Sequence, residues 1–211
     1  MPKLGNVSLA VIKRMPRYYR FLGDLAQQGM ERISSRELSN RMGLTASQIR
    51  QDLNCFGGFG QQGYGYNVHQ LQQEIGQILG LNKRRKVIII GVGNIGRSMA
   101  MYMTYEFPAF EIIGMFDRKE SLAGQILLGQ PVRPIRQLDE FCREPRPDIA
   151  ALCLPTAAAP EIAAQLHELG VRGVLNFTQY DVGLNYPEMD VENIHLNDSF
   201  MTLCYKLNRE K

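Results

Sequence analysis

No apolar run in the 211 residues approaches the roughly 18 that a helix needs to cross a bilayer. The first thirty residues also lack the unbroken apolar core of a signal peptide, since Lys13, Arg14 and Arg17 interrupt it. A soluble, cytoplasmic protein is expected. Cysteine is sparse and scattered: Cys55, Cys142, Cys153 and Cys204 form no C-x-x-C pair, which removes the usual patterns of a zinc site or a disulfide framework. No metal is anticipated, and most of the thiols read as reduced core residues. Histidine is scarcer still, with only His69, His167 and His195 available as proton-transfer groups.

What is present is uneven. Residues 1–86 carry 13 Lys/Arg against 5 Asp/Glu, net +8, whereas the remaining 125 carry 11 against 16, net −5. A basic first part beside an acidic second part suggests that only the first meets a polyanion, with solvated surface charge as the bland alternative.

Within the basic part, Tyr18, Phe21, Leu22 and Leu25 fall at i, i+3, i+4 and i+7 between Pro16 and Gly29, the stripe of a helix burying one face. Ser34 and Glu37 are spaced as a capping box that opens a short helix, Gly43-Leu44 makes a turn, and Thr45 with Gln48 forms a second box. Two short capped helices around a glycine turn are the pattern of a helix-turn-helix, or more simply of a helical hairpin. The second helix buries Ile49, Leu53 and Phe56, leaving Ser47, Gln48, Arg50, Gln51 and Asn54 to face outward. Arg can donate twice to guanine, and Asn or Gln can pair with adenine, each good pair being worth roughly 1–3 kcal/mol of discrimination. "FGGFGQQGYGYNV" (56–68) then predicts two short strands turning near Gln61-Gln62-Gly63, a wing beside the helices. Leu71, Ile75, Ile78 and Leu79 mark a closing helix, and "NKRR" at 82–85 reads either as a phosphate contact or as a solvated hinge.

The acidic part opens with "KVIIIGVGNIG". "VIII" is the continuous apolar run of a parallel strand buried on both faces, and it leads directly into Gly91, Gly93 and Gly96. In such a turn (Gly91, Val92, Gly93, Asn94, Ile95, Gly96) the first glycine permits the tight bend, the second lets backbone approach a pyrophosphate, and the third lets helix pack on strand. A second strand, "EIIGMFD", ends at Asp117, 21 residues beyond Gly96. An acid there accepts hydrogen bonds from an adenosine ribose diol and repels a 2′-phosphate, which favours NAD(H) over NADP(H), with Arg118 as the one dissenting charge. "DIAALCLP" (148–155) and "VRGVLNF" (171–177) read as two more buried strands around a helix over about 160–169, so a doubly wound parallel sheet is expected. Pro155 and Thr156 then lie beside the cleft, or in plain loop.

Taken whole, the chain resembles the Rex family of redox-sensing transcriptional repressors over roughly residues 8–208. The resemblance rests on "RMPRYYRFL", "ERISSRELSNRMGLTASQIRQDLNCFGGFGQQGYGY", "GVGNIGRSMAMY" and "NFTQYDVGLNYPEMDVENIHL". It implies an α/β chain: a winged helix-turn-helix domain (1–82), a Rossmann domain binding NAD(H) (83–196) and a C-terminal domain-swapped helix (197–211). It further implies a homodimer that binds an inverted-repeat operator and lets go when NADH replaces NAD+. By the same resemblance Arg50 is the main base reader, helped by Gln51, while Tyr64 shapes the wing. Tyr102 lies near the nicotinamide, its alternative being a buried aromatic on a Met-rich helix face. This chain departs from the family in carrying Gln51, Gln61 and Gln62 where relatives commonly have Lys or Arg, which removes counterion-releasing contacts and flattens the salt dependence of DNA binding. In some relatives an Asp near the C-terminus responds to an Arg of the first helix as NADH binds. The matching places here are His195 and Arg20, and Asp198 is the nearest substitute carboxylate.

A dehydrogenase must also seat a substrate and an acid or base near the hydride path. His69 falls in the first part, His167 on an anticipated surface helix, and only His195 could approach the nicotinamide; no catalytic residue is assigned. The dinucleotide is read as a ligand rather than a reagent. A small NAD-dependent oxidoreductase, and a DNA-binding protein that has lost nucleotide sensing, are the competing readings.

Overall fold

In the computed structural model, which describes residues 7–57, 59 and 64–209, the chain divides into two units, Met1–Lys83 and Arg84–Lys211. The first is built on α1 (Leu9–Gln27), whose Val11, Met15, Tyr18, Leu22 and Leu25 are buried along one stripe. This helix begins seven residues before the expected start at Pro16. Proline removes one hydrogen bond from a helix interior; burial of Val11 and Met15 carries the helix through it. Next come α2 (Ser35–Met42) and α3 (Ala46–Asn54), joined at Gly43, whose φ of 64° is the left-handed value that favours glycine. The Ser34–Glu37 capping box is complete. The Thr45 box is only half made: the Thr45 hydroxyl accepts the Gln48 N–H at 3.1 Å, but the Gln48 side chain turns to Asp52 instead of reaching back. Asn67 caps α4 (Val68–Ile78), which buries Val68, Leu71 and Ile75 in the same core as α1.

The predicted hairpin takes another form. β2 (Tyr66–Asn67) pairs antiparallel with β1 (Arg32–Ile33), a strand that precedes the helix-turn-helix. Gly65 approaches β1 so closely that a Cβ there would stand 2.7 Å from the Ile33 carbonyl. The turn at Gln61-Gln62-Gly63, and with it the proposed DNA contact Gln62, lies outside the described residues.

The second unit is one sheet with helices against it. Its elements are β3 (Arg85–Ile90), α5 (Asn94–Glu106), β4 (Phe110–Asp117), β5 (Ile126–Leu127), β6 (Gln130–Pro134), α6 (Leu138–Arg143), β7 (Ile149–Leu152), α7 (Ala159–Glu168), β8 (Gly173–Asn176), α8 (Val182–Asn185), β9 (Asp190–Asn193) and α9 (Leu196–Asn208). The strand order is β5-β6-β4-β3-β7-β8-β9; all neighbours are parallel except the β5–β6 edge pair. Alternation along β3 sends Ile88 and Ile90 to one face, with α6 and α7, and Ile89 to the other, with Ala100 of α5. That is why the run reads as uniformly apolar. The chain winds outward in both directions from β3 and β7, so their carboxyl ends open a crevice between them. Arg84 and Arg85 of the basic run face Glu111 (3.5 Å) and Asp148 (3.3 Å) on the sheet.

Candidate nucleotide cleft and nucleic-acid interface

The crevice is real: a cleft of about 970 Å³ opens at the carboxyl ends of β3 and β7, lined by Gly91, Val92, Gly93, Asn94, Ile95 and Asp117 among others. The three glycines are there for different reasons. Gly91 has φ 95°, and a Cβ on it would stand 2.3 Å from the Cys153 carbonyl oxygen, so β3 and β7 could not close together around any other residue. A Cβ on Gly96 would stand 1.9 Å from the Gly91 oxygen, which makes Gly96 the helix-to-strand contact. At Gly93 a Cβ would meet nothing within 4 Å. The fold does not itself require glycine at 93, and the bare backbone there leaves room for a ligand to approach closely. Gly93 is also the N-cap of α5 and supplies no capping side chain, so the first N–H groups of the helix remain available to an anion.

Asp117 ends β4 at the other side of the turn. Its carboxylate accepts the Val92 N–H at 2.7 Å and the Lys119 N–H at 2.8 Å, which fixes its position at the cleft wall. Arg118, the charge that argued against Asp117, is ion-paired with Glu161 of α7. Arg97, which sequence reasoning passed over, lines the cleft and donates from Nε to the Val92 carbonyl at 3.1 Å. Pro155 lines the cleft, whereas Thr156 begins a 3-10 turn and accepts the Gln179 N–H at 3.3 Å. Ile95 and Phe177 border both this cleft and two smaller hollows, one against Tyr102 and one against His195. Tyr102 is 54% exposed, against Phe107 at 5.7 Å between ring centroids, so it is not the buried aromatic of the alternative reading. His195 Nε2 lies 3.0 Å from the Thr178 carbonyl oxygen, and Nδ1 lies 3.5 Å from Asp198 Oδ2. Burial pushes the Cys153 thiol up to about 12, so it is no nucleophile at neutral pH.

In the first unit Ser47, Arg50, Gln51 and Asn54 are all exposed on α3, at the i, i+3, i+4, i+7 spacing of one helix face. Arg50 donates to the Ser35 hydroxyl at 3.1 Å. Gln48 departs from the expectation: half-buried, it donates its amide to Asp52 Oδ1 at 2.8 Å and is taken up inside the unit. Tyr64 is 72% exposed, and its carbonyl accepts from Arg32 at 3.2 Å. Arg20 is exposed on α1.

Asp52 itself was not foreseen. It is 1% exposed and accepts four hydrogen bonds: Arg14 Nε at 2.6 Å, Arg14 Nη2 at 2.7 Å, the Tyr18 hydroxyl at 2.8 Å and the Gln48 amide. Burial opposes its charge, but those donors together with the Arg14 charge outweigh burial and hold the carboxyl below the usual range. Burial, and after it the Asp52 bond, pushes the Tyr18 phenol up. The only sequence signal was an acid on the inner face of an otherwise apolar stripe.

The C-terminal α9 has no buried residue among its thirteen, and Phe200, Met201, Leu203, Tyr205 and Leu207 are each at least half exposed. Met101, Tyr102 and Tyr105 make a similar exposed face on α5.

A family model described as "putative DNA-binding protein N-terminus" matches residues 6–54, and one described as "CoA binding domain" matches residues 82–180. Among curated relatives, the redox-sensing transcriptional repressor Rex of Caldicellulosiruptor saccharolyticus is 45% identical, covering 100% of this chain and 95% of its own length. The protein of that name from Clostridium perfringens strain SM101 is 44% identical over 99% and 98%. Among solved structures, RSP in complex with β-NAD+ and operator DNA superposes with a TM-score of 0.91 at 45% identity, covering 97% of this chain and 94% of that one. RSP in complex with β-NADH superposes with a TM-score of 0.88 at 42% identity, over 97% and 95%.

Proposed function

The chain belongs to the Rex family of redox-sensing transcriptional repressors, and on that footing we propose that it holds an inverted-repeat operator as a homodimer and releases it when NADH replaces NAD+. One observation carries the reading: a single chain joins an exposed Ser47-Arg50-Gln51-Asn54 face on a helix-turn-helix to a cleft where Gly93, at the start of α5, leaves bare backbone open to a ligand. The first is what a major groove requires and the second what a pyrophosphate requires.

In this reading Arg50 reads a base edge, Gln51 and Asn54 assist, and Ser47 contacts the backbone beside them. Tyr64, exposed just before β2, lies beside the phosphate backbone. Gly91 to Gly96 carry the dinucleotide phosphates and Asp117 the adenosine ribose. With Arg118 paired to Glu161, the cation that still borders that end of the cleft is Lys119, next to the Asp117 carboxylate. Coenzyme A, the ligand in the matched domain's description, carries a ribose phosphate that Asp117 would repel, and NAD(H) fits better. The nicotinamide extends past Ile95 toward Phe177 and Tyr102. The apolar faces of α9 and α5 suit a twofold partner, with α9 exchanged between subunits. The relatives are named repressors, so the cleft is a sensor rather than a catalytic site.

A ligand moves an equilibrium only through unequal affinity for its two states. NADH favours a dimer whose two α3 helices no longer match successive major-groove faces, roughly 34 Å apart or a multiple of it. The test is fluorescence anisotropy of a labelled inverted-repeat duplex selected by the protein from a random pool. Adding NADH to the complex should lower anisotropy and adding NAD+ should not; indifference to both would refute the proposal.

A further inference from the structure

We propose that His195 makes the choice between oxidised and reduced nicotinamide depend on pH; this rests on the dinucleotide reading above. The two ring nitrogens of His195 face two acceptors, the Thr178 carbonyl at 3.0 Å and Asp198 Oδ2 at 3.5 Å. A neutral imidazole has one N–H and can serve only one of them, while an imidazolium serves both. The Thr178 acceptor is fixed in place, whereas the Asp198 side chain is mostly exposed. Thr178 is 2% exposed, and its backbone N–H and hydroxyl both donate to Asn176 Oδ1, at 3.0 and 2.7 Å. Asn176 is itself fully buried and donates onward to Asn193 and to the Tyr180 carbonyl. Asp198 sits in the first turn of α9.

Position gives the pair its consequence. The hollow it borders shares Ile95 and Phe177 with the large cleft and with the hollow against Tyr102, so it continues the groove beyond the phosphate turn. Around it the second unit presents Gln179 from the β8 side and Asn197 and Met201 from α9. Tyr102 of α5 borders the neighbouring hollow, and His195 and Asp198 are the titratable groups of the hollow itself. With a neutral imidazole the pair carries −1; with an imidazolium it carries zero. The oxidised nicotinamide ring is cationic and the reduced ring neutral. Loss of the net negative charge therefore weakens NAD+ and leaves NADH nearly untouched. Across the range in which imidazoles ordinarily change charge, roughly pH 5–8, acid shifts the balance toward NADH. Reciprocally, NAD+ favours the neutral ring.

The test measures Kd for NAD+ and for NADH by calorimetry on the full-length protein at pH 6 and pH 8. The ratio of NAD+ Kd to NADH Kd should rise by roughly tenfold on acidification, the scale of one nearby charge in a partly wet site. In His195→Gln the ratio should be nearly the same at both pH values. Should the substitution disturb the loop, the C2 proton of His195 in the unaltered protein gives an independent answer by NMR: it should titrate at lower pH with NAD+ bound than with NADH. A flat ratio in the unaltered protein, a pH-dependent ratio surviving in His195→Gln, or identical titrations in the two complexes overturns this proposal alone. Failure of either dinucleotide to bind at pH 8 overturns it together with the reading beneath it.

Discussion

Replacing Asp52 with Asn should cost the first unit about 3–5 kcal/mol, the usual penalty for breaking a buried ion pair from one side. The carboxylate is 1% exposed and satisfies Arg14 twice, Tyr18 and Gln48. An amide cannot neutralise Arg14, and its NH2 must point at one of these donors. Against a typical total of 5–15 kcal/mol, that is a large share. For a unit of this size each kcal/mol moves the midpoint by roughly 4–8 °C, so a loss of at least ~12 °C is expected. The chain has no Trp, so far-UV circular dichroism is the suitable signal, with the melting of α1–α4 read as the step that the substitution moves while the second unit's helices stay put. The joint replacement Arg14→Met, Tyr18→Phe and Asp52→Leu removes both charges together with the buried hydroxyl that Asp52 accepts, and should recover most of the loss. The pH dependence has a definite sign. Because folding lowers the Asp52 value, its contribution is complete above the ordinary carboxylate range, near 4, and disappears as pH falls through the folded value. Acid unfolding of the first unit should therefore begin at higher pH than in a protein where this carboxylate is apolar. A single variant losing less than ~1 kcal/mol, or a joint variant no better than the single, would refute this account of how α1 holds α3.

The glycine turn offers a contrast: Gly96→Ala should fail to fold the second unit, since its Cβ meets the Gly91 oxygen at 1.9 Å, whereas Gly93→Ala should fold normally and lose dinucleotide binding, as circular dichroism and calorimetry would tell. Asp117→Ala should weaken NADH binding by about 1–3 kcal/mol and narrow the gap to NADPH, measured by competitive titration. Arg50→Ala should lower operator affinity by a similar amount with loss of preference at one base pair, read by anisotropy on single-substituted duplexes. Iodoacetamide at pH 8 should label exposed Cys55 and spare Cys142 and Cys153, whose thiols burial pushes up to about 11 and about 12, as peptide mass spectrometry would show.

Legibility followed the range of the interaction. The Ser34–Glu37 box, the Gly43 turn and the β3 apolar run are decided within a few residues, and each could be read directly. Short, exposed or proline-bearing strands could not. β6 carries two prolines in five residues and β9 is mostly exposed, so neither shows an apolar run, and both are held in place by neighbouring strands. The Asp52 network joins residues 38 positions apart and leaves no local pattern, which is why Gln48 read as outward-facing. In the cleft, the glycines and Asp117 were visible because their spacing is fixed by a shared turn. Arg97, Phe177 and the Thr178 carbonyl were not, since they meet only after β3, β7 and β8 have been laid in order and the chain has turned toward α9.

A thirteen-residue helix is a marginal object in water unless something greasy lies against it. Among the described residues none of α9 is buried by its own chain, and in the proposed dimer its cover comes from a second molecule. In that dimer, dilution should loosen this helix before the rest of the chain. Abundance, and not only coenzyme, becomes a variable in how sharply the protein can respond.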